Sequence, residues 1–456
     1  MLTMTDMLVD YYRCSEELDC LQSMDELSEY PGYFRLGEAT CYGRSCLESP
    51  PLDPKMNMSD LLPVVDIQGG QCALPFDPQE LINNLRLERY IACDGKRPRS
   101  PLVAAYYLLR PLLPFRLRSR LKRIWQKGWD TNVFPAWPVD RTVEQVYETL
   151  LRLAMTTLGL KQVPFIWFWP HGYSACAVMT HDVETRVGLQ FCTALMDLND
   201  SFYIKSSFQL VPEGRYPLPG TLLNEVRRRG FEVNVHDWNH DGLLFTDRAL
   251  FQERAANINR FADKHGISGF RSGALYRNTA WYDAFTFSYD MSVPNVAHLD
   301  PQRGGCCTTM PYFIDRILEI PVTVTQDYML FHLLGQYSTD LWKRQTQLIF
   351  DGNGLASFIV HPDYVIERKA RNAYTQLLQY LSRECRERNV WIALPGEVNR
   401  WWRNRSEMRL VQNGSDWEIV GTGEENARVA YAMLEGEALV YRLPGQVDRT
   451  DRRSIA

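Results

Sequence analysis

Hydrophobic runs alternate with helical stretches from about residue 175 to residue 394, and this alternation most narrows the folds open to the chain. The strand candidates are 175–182, 206–211, 231–236, 267–272, 287–293, 317–324, 355–361 and 390–394. Between them lie helical patterns over 221–230, 248–265, 339–350 and 366–388. A strand returned to its sheet by a helix runs parallel to its predecessor. Seven or eight such units in about 230 residues fit a (β/α) barrel better than a small doubly wound sheet.

A chain of 456 residues is too long for one core. The spacing predicts a barrel over 165–404, an N-terminal extension over 1–164 and a small β appendage with a tail over 405–456. In the extension, 1–60 is irregular, Pro50-Pro51-Leu52-Asp53-Pro54 marks a loop, and 78–92 reads as a helix. Gly95 to Lys127 carries ten Lys or Arg and no acid. There Arg116, Arg120, Arg123 and Lys127 fall on one helical stripe beside Leu117, Leu121 and Ile124. An ordinary solvated face explains that stripe. Contact of the 96–127 segment with an acidic glycan, a lipid-linked intermediate or a membrane surface is the functional alternative. In the appendage, 407–443 has short alternating runs with Asn-Gly, Gly-Thr-Gly and Glu-Gly turns.

Composition removes several classes of function. A net charge of −5 does not indicate nucleic acid. Met1–Asp10 has no basic n-region, and no uncharged apolar run approaches the ~18–20 residues that cross a bilayer. Eleven cysteines without a Cys-x-x-Cys suggest reduced thiols in a cytoplasmic protein. The clustered Cys14, Cys20, Cys41 and Cys46 match no zinc-knuckle spacing.

The chemistry gathers at strand ends. Functional groups in parallel α/β folds collect at the carboxyl ends of strands. Asp182 and Glu184 end the first strand candidate, His236 the third, Arg271 the fourth and His361 the seventh, while Asp290 lies within the fifth. So many ionisable groups at one rim are hard to explain as packing. His236 and His240, four apart, can face one way on a helical turn and share a metal ion, with Glu184 as a third ligand. A metal so held brings the pKa of water from 15.7 toward ~7. Asp182 could take the water's proton, Arg271 could hold Asp182 ionised, and His361 could protonate a departing amine. Other histidines read as structural or surface residues. Trp238, Trp391, Trp401 and Trp402 could stack on sugar rings or pack in the core.

Taken in order, Thr180-His181-Asp182-Val183-Glu184, His236-Asp237-Trp238-Asn239-His240, Gly269-Phe270-Arg271-Ser272-Gly273, Phe287–Ser292 and Ile359–Tyr364 resemble the five motifs of the polysaccharide deacetylases, carbohydrate esterase family four. The resemblance covers about 165–404 and implies a distorted (β/α)₇ barrel that removes N-acetyl groups from amino sugars with a divalent metal, usually zinc. It implies Asp182 as catalytic base, His236 and His240 as metal ligands, Arg271 as the residue positioning the base, and His361 as general acid. Asp290 sits near the motif whose acid orients that histidine. The second carboxylate, Glu184, stands one position later than in the common pattern, similar to a subgroup with Asp-x-Asp or Asp-x-Glu. The arginine motif reads Arg271-Ser272-Gly273-Ala274, without the usual Pro-Tyr; a backbone N–H near Gly273 or Ala274 could still serve an oxyanion. The flanking segments resemble extensions on deacetylase-like proteins of exopolysaccharide gene clusters.

Three functions are thus in play: an N-deacetylase acting on an N-acetylated glycan, an allantoinase-like hydrolase of cyclic amides, and a catalytically silent glycan-binding or assembly scaffold. Retention of Asp182, His236, His240, Arg271 and His361 together favours an enzyme.

Overall fold

The structure is a computed structural model that describes residues 4–15, 18–91 and 128–444. The basic stripe of 96–127 lies outside the described residues. The chain divides into two compact units, one of 1–82, 142–174 and 400–456, the other of 83–141 and 175–399.

In the first unit the two terminal segments, separate in sequence, are joined by β pairing. Val429–Glu435 lies antiparallel between Gln162–Ile166 and Ala438–Arg442. Ala430 and Ala432, fully buried, sit opposite Phe165 and Val163, so the appendage contributes to a core. A hairpin, Arg409–Asn413 with Asp416–Val420, turns at Gly414. The turn needs φ of +64° there, which glycine adopts without a Cβ clash. The N-terminal segment is less irregular than its sequence suggests, with a second hairpin of Gly32–Leu36 and Ala39–Gly43. The helix expected over 78–92 is Pro78–Arg86. No helix among the described residues is long and apolar enough to cross a membrane.

The second unit is the α/β barrel. Its parallel strands are β1 (Ala175–Val183), β2 (Ser207–Leu210), β3 (Glu232–His236), β4 (Gly269–Arg271), β5 (Tyr289–Asp290), β6 (Ile317–Glu319), β7 (Leu355–Ile359) and β8 (Val390–Ala393). The sheet runs β6-β5-β4-β3-β2-β1-β7, with Tyr312–Ile314 antiparallel on β6 and β8 on the first half of β1. The sheet curls into an incomplete barrel. Beyond β6 the chain meets β7 through the Thr323 hydroxyl, which donates to Leu355 C=O at 2.7 Å and accepts from Ser357 N–H at 2.9 Å. One backbone bond, Val324 N–H to Ser357 C=O at 3.3 Å, completes that seam.

All of β1 is buried, as its near-continuous apolar run requires of a strand covered on both faces. The covering helices are α1 (Arg186–Asp200), α2 (Gly220–Arg228), α3 (Arg248–His265), α4 (Asp340–Asp351) and α5 (Arg368–Arg388). Thr185 caps α1 by accepting from Gly188 N–H, and Asp247 caps α3 by accepting from Leu250 N–H, both at 3.0 Å. Each cap contributes about 1 kcal/mol. Leu189, Cys192, Leu195 and Met196 of α1 join Phe208, Val233, Val235 and Phe358 of the sheet in one core. Helices outside and strands inside leave the strands' carboxyl ends on one rim.

Candidate active site

β1 and β3 deliver the first groups. Glu184, one residue beyond β1, directs Oε1 to 2.9 Å from His240 Nε2 and 3.7 Å from His236 Nε2. The ligand atoms of Glu184, His236 and His240 lie within 4.8 Å of one another, the one group of its kind among the described residues. The imidazoles do not meet on a helical turn, as their spacing suggested. His236 closes β3, and the chain then reverses through Asp237 (φ +57°) and His240 (φ +55°), left-handed values rare for residues with a side chain. The exposed Arg215 donates to the carbonyls of Asn239 and His240, holding the loop. Gly273 makes room for it: a Cβ there would meet Asp237 Oδ2 at 2.4 Å and His240 Cδ2 at 3.1 Å.

The donor set fits a divalent cation. Arms of about 2.0–2.1 Å in a tetrahedral zinc site set ligand atoms roughly 3.3 Å apart; the observed 2.9 and 3.7 Å bracket that edge. His236 Nε2 is buried without a hydrogen-bond partner, while its Nδ1 faces Arg271 C=O at 3.2 Å. A proton on Nδ1 leaves the Nε2 lone pair pointing at the gap. Burial would raise the pKa of Glu184, but His240 and the neighbouring imidazoles take it well below the usual carboxylate range. His240, which burial would lower, is raised by Glu184.

Asp182, at the end of β1, is buried with one oxygen on each of two partners. Oδ1 accepts from Arg271 Nη1 at 2.8 Å, and Oδ2 stands 3.8 Å from His236 Nε2. Burial pushes this carboxyl up, yet Arg271 and the imidazoles hold it below its ordinary value. Arg271 is fixed further by Met291 C=O at 2.9 Å and by the Thr180 hydroxyl at 2.6 Å.

His361 follows β7, its Nε2 3.4 Å from Glu184 Oε1. Its orienting acid is Asp327, not Asp290. Asp327 Oδ1 is 2.7 Å from His361 Nδ1, and Oδ2 accepts the His361 N–H at 2.7 Å. Burial lowers the basicity of His361, but the Asp327 charge and hydrogen bond raise it well above the usual imidazole value. Asp290 instead accepts from the Tyr282 hydroxyl, the Ser292 hydroxyl and the Ser292 N–H. It closes β5 as His236 closes β3, but all three of these bonds stay within 282–292, so its carboxylate is committed there and not to His361. Asp327 could have been found by applying the strand-end argument to the sixth strand candidate, 317–324, which it follows by three residues.

His181 is structural: its Nδ1 lies 2.9 Å from Val360 C=O and its Nε2 3.0 Å from Asn199 Nδ2. Trp401 and Trp402 are buried, the first donating to Phe168 C=O at 2.7 Å, the second packed on Trp169, so neither offers a sugar platform.

No family model matches the sequence, and no curated protein matches it. Among solved structures, a Mycobacterium smegmatis protein named as a polysaccharide deacetylase is 16% identical, with TM-score 0.42, over 55% of this chain and 98% of its own. Puue allantoinase is 13% identical, TM-score 0.41, over 52% of this chain and 92% of its own. A variant of the peptidoglycan deacetylase PdaC from Bacillus subtilis is 11% identical, TM-score 0.32, over 50% and 93%. Likenesses at these scores say nothing about function; the geometry of the rim residues does.

Proposed function

We propose that this chain is a metal-dependent amide hydrolase that removes N-acetyl groups from amino-sugar units of a polysaccharide or oligosaccharide. The observation that carries the hydrolase reading is the gathering of Glu184, His236 and His240 within 4.8 Å, beside Asp182 and His361. The motif resemblance supports the acetylated sugar. Zinc suits two imidazoles and a carboxylate.

A divalent cation held by Glu184, His236 and His240 supplies Lewis-acid polarisation of the amide carbonyl and makes water acidic enough to react near neutral pH. Asp182 accepts the proton of the attacking water. Its Oδ1 is committed to Arg271, so Oδ2 is the basic oxygen, and the guanidinium keeps the carboxylate charged until the proton arrives. His361 gives its Nε2 proton to the departing nitrogen as the C–N bond breaks. Asp327 holds Nδ1 and so fixes which face of the ring donates. The products are acetate and a protonated amine, the water's second proton passing from the new carboxyl group to the amine, and one proton moves from Asp182 to His361 to reset the pair.

Elemental analysis of the purified protein and acetate release from N-acetylated chito-oligosaccharides test this reading. Stoichiometric metal in the wild type, lost in His236→Ala and His240→Ala together with acetate release, is the expected result. A metal-free wild type would return the chain to the scaffold alternative. Turnover of cyclic ureides in place of acetylated sugars would keep the site and replace the substrate.

A further inference from the structure

Two residues just past β5, Met291 and Ser292, grip the Arg271–Ser272 segment from two sides, and Asp290 at the strand's end backs the second of them. Met291 C=O accepts from the Arg271 side chain, as described. The Ser292 hydroxyl meets the peptide that follows Arg271: its oxygen accepts the Ser272 N–H at 2.9 Å while its own proton goes to Asp290 Oδ1 at 2.6 Å. A hydroxyl has one proton, so the direction of both bonds is fixed. The carbonyl of the same peptide, Arg271 C=O, faces His236 Nδ1 at 3.2 Å and accepts Asp237 N–H at 2.8 Å. Asp290, Ser292, Ser272 and His236 are all at most 2% exposed, so water does not compete for these bonds.

We propose that Asp290 and Ser292 are positioning residues for the metal ligand His236, acting through the peptide bond between Arg271 and Ser272. A hydrogen bond drawn from a peptide N–H increases the negative charge on its carbonyl, and such chains strengthen one another in a dry interior. Arg271 C=O therefore becomes a better acceptor. It holds the proton on His236 Nδ1 and leaves the Nε2 lone pair toward Glu184. The Tyr282 hydroxyl, 2.9 Å from Asp290 Oδ2, keeps the start of the relay in place. Asp290 thus serves the imidazole of β3 rather than that of β7. This inference rests on the metal reading above.

The test uses the full chain and two variants, Ser292→Ala and Asp290→Asn. Zinc affinity by chelator competition is expected to fall up to about tenfold in Ser292→Ala, the lower end of the range seen when a ligand's direct outer partner is removed, because the Arg271 carbonyl itself remains. Asp290→Asn, which keeps an acceptor oxygen without the charge, is expected to fall less. In the cobalt-loaded protein the shifted Nδ1–H resonance of His236 should move or exchange faster in Ser292→Ala. A purely structural serine would lower the melting point of the metal-free protein and leave affinity and resonance unchanged; that outcome overturns the relay. If Ser292→Ala does not fold, unchanged affinity and resonance in Asp290→Asn overturn it equally. A wild type that takes up no zinc overturns the hydrolase reading and the relay together, whereas a zinc-binding wild type with indifferent variants overturns the relay alone.

Discussion

Two arginines, one in each unit, are almost wholly buried, and they meet the cost of burial differently. Arg405, 2% exposed, donates to the carbonyls of Trp167, Tyr11, Tyr12 and Ile166 and lies over the rings of Phe168 and Trp402. Burial lowers its pKa to about 9, with nearby Arg13 adding to the effect and no carboxylate among the leading influences. Arg271, fully buried, meets one carbonyl, one hydroxyl and the carboxylate of Asp182. The first cation ties backbone segments together. The second holds ionised a carboxylate whose other oxygen faces His236. Burial of a charge is therefore not in itself a sign of function; what the partner's other oxygen faces is the better guide.

Replacing the partner gives the largest expected effect. Asp182→Asn should lower acetate release by roughly 10²–10⁴ and leave metal content unchanged, since a positioned base contributes about that much. Turnover retained in that variant would remove Asp182 from the base role.

Next comes the cation itself. Arg271→Leu leaves Asp182 buried and unpaired, and breaking such a pair costs about 3–5 kcal/mol of stability, read from the denaturant midpoint. The double variant Arg271→Leu with Asp182→Leu should recover much of that stability and none of the hydrolysis. If the single variant is as stable as the wild type, the pair is not what holds this part of the barrel.

Gly273→Ala tests the loop between the two. Its Cβ would press on Asp237 and His240, and displacing a ligand by about an ångström can reduce turnover roughly 10²-fold. Zinc affinity should fall with it, and unchanged affinity would mean the loop yields freely.

Arg405→Leu is expected to be mildest, about 1–3 kcal/mol in stability, because relief of a buried charge offsets part of the cost of unpaired carbonyls. Acetate release per folded molecule should not change. A drop in that specific rate would erase the distinction between the two arginines.

Much of the barrel was legible because its signals are local. The helix over 248–265 matches α3 in both bounds, capped by Asp247 and closed by Gly266, and the strand candidates all fall on real strands, the first one residue short and the others somewhat overdrawn. The convergence of Glu184, His236 and His240 was legible through the strand-end rule, although the loop between the imidazoles is not the helical turn their spacing suggested. Partners set by long-range contact were not legible. Asp327 reaches His361 across 34 positions, and Val429–Glu435 pairs with Gln162–Ile166 across most of the chain. No periodicity in either stretch encodes the other. The Asp290 assignment failed for the same reason: which acid lies beside which imidazole is decided by the sheet's curvature, not by order along the chain.

The Thr323 hydroxyl that laces β6 to β7 has a dynamic consequence. A wall fastened mainly by two side chains, Thr323 and Asp327, with one peptide contact opens more readily than one closed by a full ladder. Asp327 lies four residues beyond that clasp, and the imidazole it steadies follows β7 on the other side. Breathing at this seam would therefore loosen the Asp327–His361 pair before it disturbed His236 and His240, which follow β3 on the far side of the sheet.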